Sequence, residues 1–472
     1  MSKSLLFWIL FAVLTAFYAL YSRWAAWTIE DAMITARIAK NFVLYNQLTY
    51  NPGIMLSSAT SPVVALAAGL MGKLGLETFT AAKILGTGLL FAGAAFFYRA
   101  LEKIFGTAEA FFSMLFYLIF PTTAAYAICG LETPIYEAAC FCALAAYALR
   151  RNMLSFFFAS AAFMVRPDGV IMLAVVGSAI LFEKESLQEK VRWTLPGFAL
   201  LAVFFSGHAF FYGSPIPHTA LAKAVAYSID PASNVMRYLK RLFLDHPEMA
   251  PVYALALAGV FPVLKTCPRM VLFPVWFFCY YLLFMLRSPL FDWYLHPPEF
   301  VPLVFAAIAM VGIFQKTLGR SPVFLRRAAG TACVLFIVGG GALAARHFGA
   351  SKIERMGYEN SVRAAAGKWL KENTDPADLV FTESLGYIGF YSDNSFIDWP
   401  GLVFKDGVRV YKGKTRNRGY LEDIGTQNPV YLVLRDQEWQ QLDVQLPAYK
   451  PVAHFPAKNL NPGYLILKRN RI

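Results

Sequence analysis

Apolar residues do not alternate along most of this chain. They run together, near 5–22, 81–97, 108–126, 132–149, 153–165, 168–182, 194–212, 250–264, 270–286, 298–315 and 328–345. A bilayer core about 30 Å thick takes roughly 20 helical residues, so the runs read as about 11 membrane spans, several of them short. A further apolar segment, Ser61 to Met71, would upset the alternation of sides if it crossed. It is expected to be re-entrant or half-buried. No small-residue cleavage pattern follows the first run, so Leu5 to Tyr21 is expected to remain as a span. From about 347 the pattern changes. AGKWLKENTDP reads as a helix stopped by Asp-Pro, and ADLVFTE, PVYLVLRD and GYLILK read as short strands. The expected fold is a polytopic α-helical membrane unit over 1–346, followed by a soluble α/β domain over 347–472.

Composition agrees with a membrane class, at 57% hydrophobic and 15% charged residues. The net charge of +13 sets orientation. Arg99/Lys103, Arg150/Arg151, Lys184/Lys190/Arg192, Lys265/Arg269 and the basic residues from Lys316 to Arg327 fall in alternate loops. The positive-inside rule puts those loops in the cytoplasm. Loops 23–80, 127–131, 166–167, 213–249 and 287–297 then face outward, together with the tail. This predicts a multi-pass protein of a bacterial inner membrane with a periplasmic C-terminal domain. The basic excess fits cytoplasmic loops and anionic lipid, and needs no nucleic-acid partner. Cys129, Cys140, Cys142, Cys267, Cys279 and Cys333 form no C-x-x-C pair, so neither a zinc site nor a disulfide framework is expected. The tail holds no G-x-G-x-x-G or P-loop pattern.

Polar chemistry gathers in the outward loops. These carry Thr28-Ile-Glu30-Asp31 with Arg37, Lys40 and Asn41, then LTYNPGIMLSSATSP, Gly130-Leu-Glu132-Thr-Pro, Arg166-Pro-Asp168-Gly, Pro-His218-Thr with Lys223, and Phe-Asp-Trp-Tyr294-Leu-His296. Each has a plainer reading. Thr28-x-x-Asp31 is a capping-box pattern, Arg-Pro-Asp-Gly a turn, and Trp293 and Tyr294 suit an interfacial aromatic belt. Their shared face is the stronger signal, because charge near bilayer depth costs about 2.5–3.5 kcal/mol on insertion scales. Such a set suits glycosyl transfer. A carboxylate, Asp31, takes the proton of a sugar hydroxyl, and cations, Arg166, His218 and Lys223, meet a departing phosphate. Nucleotide sugars are cytoplasmic, whereas a polyprenyl-phosphate sugar reaches an outward site laterally through the bilayer.

The order Glu30-Asp-Ala-Met-Ile-Thr-Ala-Arg37-Ile-Ala-Lys-Asn41, Tyr50-Asn-Pro-Gly53 and Thr60-Ser-Pro62 resembles integral-membrane GT-C glycosyltransferases. The same motifs resemble the branch that includes the mycobacterial terminal arabinofuranosyltransferase. Gly130-x-Glu-Thr, Arg166-Pro-Asp-Gly169, Pro217-His-Thr219 with Lys223, and Ile397-Asp-Trp-Pro-Gly-Leu402 also look like its landmarks. Two departures stand out. Glu30 replaces the usual first Asp, and Ile54 stands where Glu is common. Asp31 matches unchanged and is the better candidate base, with Glu30 beside it. The resemblance implies a transferase using a polyprenyl-phosphate-linked donor, with a glycan, lipid or protein acceptor of the cell envelope; a single attack assisted by one base would invert the anomeric centre. Arg37, Asn41, Glu132, Asp168, Tyr294 and His296 complete the expected substrate-binding set. Glu30 and Asp31 leave a divalent metal open, although no His-rich ligand spacing is present. A transporter or flippase of lipid-linked substrates is the alternative from another class, and a sugar-binding scaffold a third; the absence of an internal repeat weighs against the transporter.

Overall fold

A computed structural model describes residues 3–227, 229–246, 249–318, 321–407, 415–457 and 461–470; Arg320, from the last basic cluster, lies outside them. The chain enters through α1 (Lys3–Ala25) and turns through α2 (Glu30–Tyr45) and α3 (Pro62–Lys73) before α4 (Thr78–Ile104). At 12 residues, α3 is about 18 Å long, too short to cross. It packs back on α2 instead. This is the segment that the parity of the loops required to stay on one side.

Next come α5 (Thr107–Ile119) and α6 (Pro121–Ile128), meeting at 64°. Phe120 is extended there because the proline ring that follows disfavours the helical region. Then α7 (Thr133–Ala148), α8 (Asn152–Val165), α9 (Gly169–Leu181) and α10 (Leu187–Tyr212) run back and forth. Every residue of α7 except Ile135 is buried, as suits a helix apolar on all sides. Outer-loop helices α11 (His218–Ala226) and α12 (Pro231–Phe243) lead to α13 (Ala250–Thr266), α14 (Leu272–Arg287), the one-turn α15 (Asp292–Leu295), α16 (Phe300–Leu318) and α17 (Val323–Tyr358). All eleven stretches read as spans are therefore helical. Among the described residues six segments are long and apolar enough to cross a membrane, or seven with the bent pair, while α8, α9 and α13 are shorter apolar helices. Rings of Phe97, Phe141, Phe273 and Phe300 meet at the centre, with Phe141 and Phe300 4.7 Å apart.

The boundary expected at 346/347 falls inside α17. That helix continues to Tyr358, passes through a π turn at Glu359–Arg363 and resumes as α18 (Ala364–Asn373). A five-stranded sheet follows, ordered β2-β1-β3-β5-β4. Strands β1 (Leu379–Thr382), β2 (Ser395–Asp398) and β3 (Tyr431–Arg435) are parallel, and β4 (Tyr449–Phe455) and β5 (Tyr464–Arg469) close the sheet antiparallel. The three strands read from sequence are β1, β3 and β5. The two missed ones are the edges; β4 carries Pro451 and a register shift, which blunt its strand signature.

The two units meet along α2. A short helix of the tail, α19 (Gly386–Tyr391), lies against it, and two glycines permit the approach. A β-carbon at Gly386 would strike the backbone of Glu30, and one at Gly389 the hydroxyl of Tyr50. Arg37 stitches the seam. Its guanidinium donates to the carbonyls of Tyr50 (3.1 Å), Gly389, Ser392 (3.2 Å) and Asn394 (2.5 Å).

Candidate functional site

A cavity of about 510 Å³ opens where the outer loops converge. Asp31, Glu132, Arg166, Asp168, Lys223 and Tyr294 line it, six of the eleven residues singled out from sequence. They come from five loops far apart in the chain. The tail domain adds Leu402, so the cavity is closed by both units. Its walls are mixed. Leu283, Phe284 and Phe291 give an apolar side, and Leu283 also stands exposed on the outside of α14.

Asp31 sits in the first turn of α2, where a carboxylate offsets the helix dipole. The capping-box pattern is not realised: Ile29 is the N-cap residue and no side chain caps the helix. Burial raises the pKa of Asp31 above the usual carboxylate value; Lys223 opposes the shift, and Glu30 and Glu132 add to it. Lys223 is the complementary group. Burial alone would lower its pKa, but Tyr294, Asp31, Tyr227 and Glu132 outweigh burial and hold the ammonium above the ordinary lysine value. The cavity thus holds a buried carboxylate and an ammonium whose charges act on one another.

Arg166 follows α8 in extended backbone, a conformation that Pro167 favours. It is 1% exposed. Nε donates to Asp168 Oδ1 at 2.9 Å and Nη1 to Thr133 Oγ1 at 3.1 Å. The guanidinium lies over the rings of Tyr136 and Tyr294, 5.0 and 5.4 Å from their centroids. Nη2 has no hydrogen-bond partner among the described residues. A buried guanidinium with one edge fixed and a free N–H is suited to an anion.

The other five expected residues lie outside this cavity, each engaged for a physical reason. Glu30 turns into the tail: its carboxylate accepts from Arg363 (3.1 Å), Gly386 N (2.8 Å) and Tyr387 N (3.4 Å). It therefore makes no chelating pair with Asp31, and among the described residues no three His, Cys, Asp or Glu are grouped to hold a metal. Arg37 is the seam already described. Asn41 donates to the carbonyls of Thr49 (2.9 Å) and Tyr50 (2.8 Å), closing the loop after α2. His218 faces the tail, with Nε2 3.0 Å from Gly401 O and 3.2 Å from Phe404 O. It braces the loop whose Leu402 enters the cavity. That loop is also held by Asp398, whose carboxylate accepts from the amides of Gly401, Leu402 and Val403. His296 is 2% exposed between Glu137 and Glu299, each 3.0 Å away, and borders a second cavity of about 170 Å³.

Tyr227, Ser58, Thr35 and Thr219 line the main cavity and were not singled out. Tyr227 had a findable signal, since it lies four residues after Lys223 at the end of the same outer-loop helix. Its ring packs edge-on against Trp399 of the tail and Phe291. Thr133 had a weaker one, adjacent to Glu132.

No curated protein matches the chain by sequence. Residues 351–469 match a domain of unknown function, DUF8728. The fold is shared with solved structures. ArnT from Cupriavidus metallidurans bound to undecaprenyl phosphate superposes with a TM-score of 0.57 at 14% identity, over 97% of this chain and 98% of that one. The apo Archaeoglobus fulgidus oligosaccharyltransferase gives 0.59 at 12% identity, over 92% and 69%. AglB from the same organism, in complex with an inhibitory peptide and a dolichol-phosphate, gives 0.56 at 12% identity, over 96% and 74%. The chain shares the membrane-helical fold of these proteins, with a small C-terminal sheet domain.

Proposed function

We propose that this protein transfers a sugar from a polyprenyl-phosphate donor to a cell-envelope glycan, lipid or protein acceptor on the outer face of a bacterial inner membrane. The observation that carries the reading is the joining of Asp31, Lys223 and Arg166 around one cavity with an apolar wall. The fold supports it, since ArnT was solved with undecaprenyl phosphate and AglB with a dolichol-phosphate.

In this reading the prenyl chain enters from the lipid side past Leu283 and Phe284. The phosphate meets Nη2 of Arg166 and the Lys223 ammonium. Asp31 accepts the proton of the acceptor hydroxyl as its oxygen bonds to C1 of the sugar. The C1–O(phosphate) bond breaks in the same displacement, its electron pair leaves with the polyprenyl phosphate, and the anomeric centre inverts. Cations stabilise the charge that develops on the leaving oxygen, where a buried and preorganised donor is worth most. Asp168 and Thr133 hold the guanidinium edge-on, and Tyr294 stacks against it. His218 acts at one remove, by bracing the Leu402 loop.

Incubating the purified protein in lipid with a panel of radiolabelled polyprenyl-phosphate sugars, with and without acceptor extract, tests this. The expected result is release of labelled sugar or its transfer, abolished in Asp31→Asn. No turnover of any donor in the panel by a folded protein, together with no protection by polyprenyl phosphate in a thermal shift, would overturn it.

A further inference from the structure

Helix α12 presents two faces. Asn234, Tyr238 and Leu242 are buried against the protein, while Met236, Leu239 and Phe243 are exposed, Met236 at 65% and Phe243 at 56%. At about 100° per residue the exposed three fall on one stripe, centred roughly 130° round the helix from the docked three. Arg237, Lys240 and Arg241 fall together on the flank between them. A stripe of this kind would be a liability in water. The helix does not lie in open water, however. It belongs to the loop that joins α10 to α13, both apolar and membrane-directed, and it docks beside the end of α14.

The docking is specific. Asn234 Nδ2 donates to the carbonyls of Met285 (2.9 Å) and Ser288 (2.8 Å), and Tyr238 to Pro289 O (3.2 Å). Those carbonyls are the last ones of α14 and the turn after it, where Phe284, Arg287, Ser288 and Pro289 form the rim of the main cavity. The helix is also preset locally, with Pro231 in its first turn and Asp230 capping the amide of Ser233 at 2.9 Å.

We infer that α12 is a membrane-surface helix. It lays Met236, Leu239 and Phe243 into the outer leaflet and sets Arg237 and Lys240 among anionic lipid headgroups, holding the cavity rim at the bilayer boundary. Charge complementarity chooses the occupant: the flank of the exposed stripe is cationic, whereas the surface of a soluble partner would have to supply a matching acidic groove. Apolar insertion with flanking Lys and Arg is the physical signature of interfacial helices. Each headgroup contact adds attraction that salt screens. The inference rests on helix geometry and stands whether or not the protein transfers a sugar.

Hydrogen–deuterium exchange of the full chain in nanodiscs tests it. In discs of phosphatidylcholine with about one-third phosphatidylglycerol, amides of 231–243 should exchange at least about tenfold more slowly than in phosphatidylcholine alone. Arg237→Glu/Lys240→Glu should remove that difference, and Phe243→Glu should speed exchange in both lipids while α14 stays protected. Equal exchange in the two lipids, unchanged by the charge reversal, overturns the inference. So does self-association of the purified chain that Phe243→Glu abolishes, which would give the stripe to a second copy.

Discussion

Two neighbouring carboxylates at the start of α2 do different work. Glu30 is tied to Arg363 and two tail amides, and Asp31 lines the cavity. Under the proposed mechanism, Asp31→Asn should cut turnover by at least about 10²-fold with an unchanged melting temperature, because only the proton acceptor is lost. Glu30→Gln should instead lower the melting temperature and leave turnover per folded molecule within a few-fold. The pH profile tests the same assignment. A base works ionised, and the pKa of Asp31 is raised by burial, so kcat/KM should fall as pH drops through a value above the ordinary carboxylate range. Lys223 holds that pKa down, so Lys223→Gln should move the acid limb to higher pH; Glu132→Gln should move it lower. A limb that neither variant moves would remove Asp31 from the role. Arg166 gives a third test. Arg166→Ala should raise the donor concentration for half-saturation, and Arg166→Lys should restore it only in part, since one ammonium cannot keep both the Asp168 bond and the phosphate. If Arg166→Ala and Asp168→Ala both lower melting without changing donor affinity, the pair is structural.

At the scale of elements, the seam between α2 and α19 has a definite chemistry. Arg37 is buried and gives its N–H groups to four carbonyls. Arg37→Met would remove a donor from all four; Tyr50 O keeps its bond from Asn41 and Gly389 O that from the amide of Ser392, so the loss falls on the carbonyls of Ser392 and Asn394, with a cost of about 3 kcal/mol or more. A lowered melting temperature and faster proteolysis of residues 374–457 should report it. Gly389→Ala should do the same by collision with Tyr50. This seam also shows what could be read from sequence. The spans, the three interior strands and the clustering of polar loops were legible because they rest on local periodicity and on charge asymmetry. Asp31, Arg166 and Lys223 were legible as polar groups stranded in loops of one face. Arg37, Asn41 and His218 looked the same in sequence yet serve backbone carbonyls, because a polar side chain does not declare whether its partner is a ligand or a distant peptide group. Gly386 and Gly389 were invisible for the converse reason: their value lies in the atoms they leave out, opposite a segment more than 330 residues away.

For the molecule as a whole, the loops that line the cavity and the docked tail share one end of the helical bundle. Arg269, bonded to Tyr147 O, Asn152 and Glu183, ties three of the basic loops together. A reporter fused after Ile472 should therefore be active only in a format that senses the exterior. Activity of a cytoplasmic reporter there would reverse the orientation and the donor reading together. The docking also carries a consequence for timing. The first acid-bearing helix leaves the ribosome early, but Arg363, the partner of Glu30, and Leu402, part of the cavity wall, are made hundreds of residues later. A nascent or truncated chain carries Asp31, Lys223 and Arg166 without the tail residue that lines their cavity. Under the proposed function, competence thus arrives with the last quarter of the chain, and synthesis itself acts as a quality check: an interrupted copy sits in the membrane without the tail's share of the cavity wall.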